Sequence, residues 1–205
     1  MHPEILEEVR AEHDSVLGSD PNEATRRLRE EPKLANSLPL TTAVVREIMR
    51  LHLPATSVRV GPPGSTVTGN DGKTYPAEGF MVWVNNNITM HDPSIFPLPY
   101  EFIPNRFLPD KSPFAPIPRN AYRPFEKGPR DCIGQELAML ESRVVLALIL
   151  RKFDFKEAYG ELDRRLGRKG KIYEKCENIG GRAYQILWTT AKPKDGLPMW
   201  VKERA

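Results

Sequence analysis

The chain has 205 residues, which is enough for one domain with a sizeable core. Its 30 basic and 27 acidic residues leave a net charge of +3, too weak an excess to predict binding to nucleic acid. Two cysteines do not make a disulfide framework. The longest apolar run, Val144–Leu150, is far shorter than the roughly 20 residues of a membrane-spanning helix, and the charged N-terminus does not resemble a signal peptide.

Helices are predicted in the first quarter of the chain. Apolar spacing predicts an amphipathic helix over Pro3–Leu17 and a short helix near Asn22–Arg29. A strong helix is expected over Thr41–Leu51, ending before Pro54.

Short strands are predicted between Val58 and Val84. Thr66–Thr68 and Phe80–Val84 flank Asn70-Asp71-Gly72, which is typical of a hairpin turn. The proline-rich stretch from His91 to Pro129 is expected to form a long loop, and such loops are usually functional.

A second strong helix is predicted after Cys132, and the tail mixes strand-like pieces such as Ile186–Trp188 with basic loops. The residues expected on the buried face of this helix are Leu137, Met139, Leu140, Val144, Val145, Leu148 and Ile149.

The segment around Cys132 has the features needed to present a thiolate to a metal. A helix N-terminus and the nearby Arg130 favour a negative charge on sulfur. Gly128 and Gly134 allow a sharp turn and close approach to a flat ligand, and Phe125 supplies an aromatic wall. Taken alone, however, a single cysteine before a helix is more often a buried structural residue.

The combination is more specific than its parts. Phe125-Glu-Lys-Gly-Pro-Arg-Asp-Cys-Ile-Gly134 matches Phe-x-x-Gly-x-Arg-x-Cys-x-Gly, and so resembles the haem-binding signature of the cytochrome P-450 family of haem-thiolate monooxygenases. The resemblance implies that Cys132 is the axial ligand of the iron, that Arg130 pairs with a haem propionate and that Phe125 packs beside the thiolate. Thiolate ligation favours O–O cleavage.

Glu47 and Arg50 stand three residues apart on the predicted Thr41–Leu51 helix and so can pair. Most such pairs are weak surface salt bridges. Here the helix resembles the family's K helix, which implies a buried network that includes Arg106. Asn105 stands where the family usually has Glu.

Arg59 lies nine residues after Arg50, where the family places another propionate-binding residue. The alternative is an exposed strand arginine. His91 occupies the position of a common family arginine and is read as a turn residue without chemistry. The remaining histidines lack metal-ligand spacing; they are His2, His13 and His52.

Basic residues before Cys132 resemble the surface on which the family's electron donor docks. They are Arg119, Arg123 and Lys127. A second basic run indicates a solvated loop or, alternatively, contact with a membrane surface. It comprises Arg164, Arg165, Arg168, Lys169 and Lys171. Cys176 lies in no motif and is expected to be a free thiol without a role.

The resemblance predicts a mainly α chain with small β sheets, the C-terminal haem-binding half of the cytochrome P-450 fold, with residues 1–205 as one partial domain. Residues 1–45 contain no Ala-Gly-x-x-Thr pattern. The distal oxygen-activating helix and the N-terminal membrane anchor are therefore expected to be absent, which leaves the substrate unreadable. The tail, at Gly181–Gln185 and Lys194–Pro198, resembles fungal microsomal-type members of secondary metabolism.

The resemblance implies a monooxygenase that inserts one atom of O2 into a small organic substrate. Its cofactor is haem b, its electrons come from NADPH through a flavoprotein reductase, and a full-length relative lies in the endoplasmic reticulum membrane. Two alternatives stay open. One is a non-catalytic, truncated haem-binding fragment, and the other is a structural domain in which Cys132 is merely buried.

Overall fold

The computed structural model describes residues 2–168, 181–187 and 190–204, and these residues contain six α-helices and eight short strands. The prediction of a mainly α fold with small β sheets is confirmed. The helices are α1 (Pro3–Leu17), α2 (Ala24–Glu30), α3 (Pro39–Leu51), α4 (Asn86–Met90), α5 (Gln135–Ile149) and α6 (Tyr159–Arg165). The strands are β1 (Ser57–Val60), β2 (Thr66–Thr68), β3 (Thr74–Pro76), β4 (Met81–Val84), β5 (Phe153–Glu157), β6 (Gln185–Leu187), β7 (Ala191–Pro193) and β8 (Met199–Glu203).

Local sequence signals set the helix boundaries. Helix α1 begins with Pro3 in its first turn and stops at Gly18, whose φ of 82° few other residues adopt. Helix α3 begins at Pro39, two residues before the predicted start, because proline suits the first turn, where its missing N–H is not needed.

The strands form four antiparallel pairs, β1–β4, β2–β3, β5–β8 and β6–β7. The predicted partner of Thr66–Thr68 is therefore wrong. This strand pairs with β3, and Thr68 lies opposite Thr74 across the predicted turn. Strand β4 instead pairs with β1, with Val84 opposite Ser57. Closing the shorter loop to β3 costs less conformational entropy than reaching β4.

The hydrophobic core of the described residues has two clusters. The first joins α1, α2 and α5 through Leu17, Ala24, Leu38 and Ala147. The second lies under the long loop and contains Leu53, Met90, Phe96 and Ala121.

The predicted buried face of α5 is only partly right. Ala147 is the one fully buried residue of this helix, whereas Leu137 is 67% exposed and Val145 is 45% exposed. Helix α5 packs against α3, α2 and the turn at Pro32–Asn36. Leu148 packs against the first core cluster, and Met139, Val144 and Ile149 are half-buried.

Most of the stretch from His91 to Pro129 is irregular, as predicted, and it contains one 3-10 turn at Pro104–Phe107. Within the described ranges, no helix is both long and apolar enough to span a membrane.

Candidate functional site

Cys132 lies on a tight loop that leads directly into α5. Its backbone N–H donates a hydrogen bond of 2.9 Å to the carbonyl of Phe125, and the N–H of Asp131 donates one of 3.1 Å to the carbonyl of Gly128. Gly128 has a φ of 95°, a conformation that a residue with a β-carbon rarely adopts. The glycine at this position is therefore required by the turn itself.

The thiol of Cys132 is free and exposed to solvent. A β-carbon added at Gly134 would stand 3.9 Å from the Cys132 Sγ, so the glycine leaves that side of the sulfur open. Helix α5 begins three residues after Cys132, at Gln135. These observations contradict the alternative that Cys132 is a buried structural residue.

Of the other predicted haem contacts, Phe125 and Arg130 lie on this loop and Arg59 lies on β1. Phe125 is half-buried, and Arg130 is exposed. Arg59 lies exposed on β1, where its Nη1 donates 3.0 Å to the carbonyl of Val58. No hydrogen bond or ion pair within the described residues joins Arg59 or Arg130 to Cys132.

The residues present fit a haem better than a free metal ion. The described part of the chain contains no group of three or more histidine, cysteine or acidic side chains that could hold a metal. A single exposed sulfur is a poor site for a bare ion, but a haem brings its own nitrogen ligands, and Cys132 would supply the one ligand needed from the protein. Ile133, the residue after Cys132, and Leu137 on the first turn of α5 are exposed apolar side chains.

Glu47, Arg50 and Arg106 meet in a buried network beneath the long loop. The Arg50 Nε donates 2.8 Å to Glu47 Oε2, and the Arg50 Nη2 donates 3.0 Å to Glu47 Oε1. The Arg106 Nε also donates to Glu47 Oε1, at 3.0 Å. All three side chains are almost completely removed from solvent.

Both arginines of this network also hold the loop's backbone. Arg50 donates to the carbonyls of Met90, Pro99 and Glu101. Arg106 donates to those of Pro97 and Leu98. Burial lowers the pKa of Arg106, and the facing Glu47 carboxylate opposes that shift. The Asn105 side chain takes no part in these hydrogen bonds.

His91 has the structural role expected of a turn residue. It follows α4, its Nδ1 lies 2.9 Å from the carbonyl oxygen of Asn87, and its ring stacks on Tyr100. Burial lowers the pKa of His91.

His13 and Glu12 form a contact between α1 and α3 that sequence reasoning missed. The His13 Nε2 lies 2.8 Å from the Thr41 hydroxyl, and the imidazole is fully buried. The Glu12 carboxylate accepts hydrogen bonds from the backbone N–H groups of Leu40 and Thr41 at the start of α3. Their partners lie 28 or 29 residues away, beyond any local motif.

Glu126, at a variable position of the cysteine signature, was also missed. Its Oε1 accepts hydrogen bonds of 2.8 Å from the Ser57 hydroxyl and from the Asn86 side-chain amide. The resemblance carried no signal for this residue, because the signature leaves its position open.

The predicted basic surfaces differ in their surroundings. Arg119 and Lys127 are exposed near the cysteine loop, and Arg123 is half-buried. In the second basic run, Arg164 and Arg165 pair with Glu161, and Arg168 pairs with Asp195. Lys169, Lys171 and Cys176 lie outside the described residues.

Comparison with known proteins identifies the family. A family model described as Cytochrome P-450 matches residues 1–169. The cytochrome P-450 monooxygenase acrF of Aspergillus aculeatus is 42% identical, with 98% of this chain and 44% of that protein covered. The monooxygenase polC of Polytolypa hystricis is 39% identical over 96% of this chain and 35% of its own length. PC-23 of Penicillium crustosum is 39% identical over all of this chain and 96% of its own length.

The fold comparison agrees. The structure of cyanobacterial CYP120A1 with retinoic acid bound aligns with a TM-score of 0.71, covering 99% of this chain and 39% of that one. At 24% identity this shows the fold alone. The chain spans less than half the length of acrF and polC, and nearly all of PC-23. The chain belongs to the cytochrome P-450 family.

Proposed function

We propose that Cys132 binds the iron of haem b as a thiolate, in a monooxygenase that inserts one atom of O2 into a small organic substrate. The observation that carries the proposal is the free, exposed thiol of Cys132 on a glycine-turned loop directly before α5. Haem, when bound through a thiolate, supplies the chemistry of oxygen activation.

The residues around the loop have separate roles in this proposal. Arg130 and Arg59 are exposed cations that pair with the two haem propionates. Phe125 would pack beside the thiolate. Gly134 lets the macrocycle approach the backbone closely, because no β-carbon stands beside the sulfur.

The Glu47 network holds the loop that precedes the cysteine segment. Its two arginines hold five carbonyls of the loop between Met90 and Glu101, the loop that leads on to the cysteine segment. This role is structural, since neither guanidinium is exposed to a ligand.

We infer the partners from the same geometry and from the relatives. An NADPH-dependent flavoprotein reductase with an acidic face would dock near Arg119, Arg123 and Lys127 and deliver electrons. The resemblance to fungal microsomal-type members favours a substrate of secondary metabolism, and a location at the endoplasmic reticulum membrane for a full-length relative.

A second candidate function is a haem-binding fragment without oxygenase activity. Apolar side chains of α5 and β4 remain exposed, among them Leu137, Val145 and Trp83. In a longer relative, other segments would cover such surfaces.

The test is the spectrum of the haem-reconstituted chain in its ferrous carbonyl form. Thiolate ligation gives a strongly red-shifted Soret band. Cys132→Ala should abolish this band, and Cys176→Ala, the matched control, should leave it. Equal behaviour of the two variants would show that Cys132 is not the ligand.

A further inference from the structure

Glu126 connects the cysteine loop to two other elements through one oxygen atom. Its Oε1 accepts from Ser57, the first residue of β1, and from Asn86, the first residue of α4, each at 2.8 Å. Because β1 and β4 pair at Ser57 and Val84, both donors lie at the same end of that two-stranded sheet. The carboxylate therefore joins the loop to the end of the sheet.

The backbone at Glu126 is unusual for a residue with a side chain. Its φ is 63°, in the left-handed region that glycine or asparagine adopts more readily. A glutamate in this conformation must be held there by its contacts. The two hydrogen bonds of the carboxylate are contacts of this kind, and a glycine could not make them.

The hydrogen bond to Glu126 also orients the side chain of Asn86. Its side chain is buried, and its Oδ1 has no hydrogen-bond partner within the described residues. The hydrogen bond from its Nδ2 to Glu126 is thus the one that fixes the orientation of this amide.

The hydrogen bonds of Glu126 lie next to Phe125, whose backbone carbonyl accepts a hydrogen bond from Cys132. The N–H of Cys132 donates to the carbonyl of Phe125, which immediately precedes Glu126. Arg59 stands two residues after Ser57 on β1. Glu126 therefore links the segment that carries the sulfur to the strand that carries Arg59.

We propose that Glu126 is a positioning residue that holds the Cys132 loop at a fixed place relative to β1, so that Cys132 and Arg59 reach one haem together. This inference rests on the proposed function. A haem is rigid, so a thiolate and a propionate partner can both engage it only when their separation is set in advance. The two hydrogen bonds of Glu126 set it.

The first test uses the 205-residue chain without haem and follows hydrogen exchange at the Cys132 amide. Loss of a hydrogen-bonded carboxylate in Glu126→Ala should speed this exchange about tenfold or more. Glu126→Gln keeps an acceptor oxygen and should restore slow exchange. Glu136→Ala removes an exposed carboxylate of α5 and should have no effect. Unchanged exchange in Glu126→Ala would overturn the proposal.

The second test measures the fraction of thiolate-ligated haem in the ferrous carbonyl spectrum of the same variants. Glu126→Ala should lose most of the red-shifted band while its urea midpoint shows that it stays folded, and Glu126→Gln and Glu136→Ala should keep the band. If Glu126→Ala does not fold, Ser57→Ala removes one of the two hydrogen bonds and should show a smaller loss in the same direction.

The outcomes separate the two proposals. A full thiolate band in Glu126→Ala, despite faster amide exchange, overturns the positioning role and leaves the haem site intact. If the parent chain never shows the band, the proposed haem site is wrong, and so is the proposal that Cys132 and Arg59 reach one haem together. Amide exchange then still decides whether Glu126 holds the loop.

Discussion

Arg50 and Glu47 form a two-point ion pair in which neither side chain has any solvent exposure. The two hydrogen bonds measure 2.8 and 3.0 Å, and one of the two carboxylate oxygens also serves Arg106. A buried carboxylate that faces two guanidiniums is stable only as a complete set, because removing one member leaves charges without a partner or water.

Arg50→Ala should therefore destabilise the chain by about 3–5 kcal/mol, the usual cost of breaking a buried pair. Loss of its bonds to the carbonyls of Met90, Pro99 and Glu101 adds to the effect. Urea unfolding and soluble yield measure it. Arg26→Ala is the control, because Arg26 pairs with Glu23 and Glu30 on the surface and its loss should barely move the midpoint. An equally stable Arg50→Ala protein would contradict the structural role of the network.

Glu12→Ala should weaken the start of α3. The Glu12 carboxylate accepts from the N–H groups of Leu40 and Thr41, which have no partners inside the helix. The expected loss is about 2 kcal/mol, the range of a charged helix cap. Urea unfolding is the measurement, with Glu8→Ala, an exposed glutamate one turn earlier, as the matched control. If the two variants unfold at the same urea concentration, Glu12 does not cap the helix.

His13 should make the chain less stable in mild acid. Burial, helped by the Arg151 cation, lowers the pKa of His13 from 6.5 to about 4. Below pH 6.5 the unfolded chain therefore binds a proton at this residue that the folded chain does not, so stability falls as the pH falls. The loss should approach about 3 kcal/mol near pH 4.

Urea unfolding between pH 7.5 and pH 4.5 tests this prediction in the parent chain and in His13→Gln, which keeps a polar group near Thr41. His52 and His91, whose pKa values burial also lowers, remain in both proteins, so the difference isolates His13. The parent should lose more stability than the variant across this range. Parallel curves would show that His13 does not titrate in this way.

When residues 1–205 are supplied with haem and a reductase, we expect them to consume NADPH without oxygenating substrate. Oxygen activation needs proton donors within hydrogen-bond reach of the bound oxygen. By resemblance, those residues lie on a helix that carries an Ala-Gly-x-x-Thr pattern. Residues 1–45 do not contain this pattern. The assay follows NADPH use, peroxide and product together. Peroxide without product is expected, and coupled product formation by residues 1–205 would disprove the prediction.

Local sequence determined much of this protein. The bounds of α1 follow from its apolar spacing, from Pro3 and from Gly18, which all act within a few residues. The turn at Gly128 and the position of Cys132 before α5 follow equally from adjacent residues. These features depend on backbone preferences and on periodicity, which a short window of sequence contains.

Tertiary structure decided the rest. It placed Glu12 at the start of α3, brought Arg106 to Glu47 across 59 residues and joined Glu126 to Ser57 across 69. It also left Leu137 exposed on a helix whose apolar pattern predicted burial. Periodicity shows that a side chain is apolar or charged, but its partner depends on which distant segment the fold brings beside it, and that contact has no local signal.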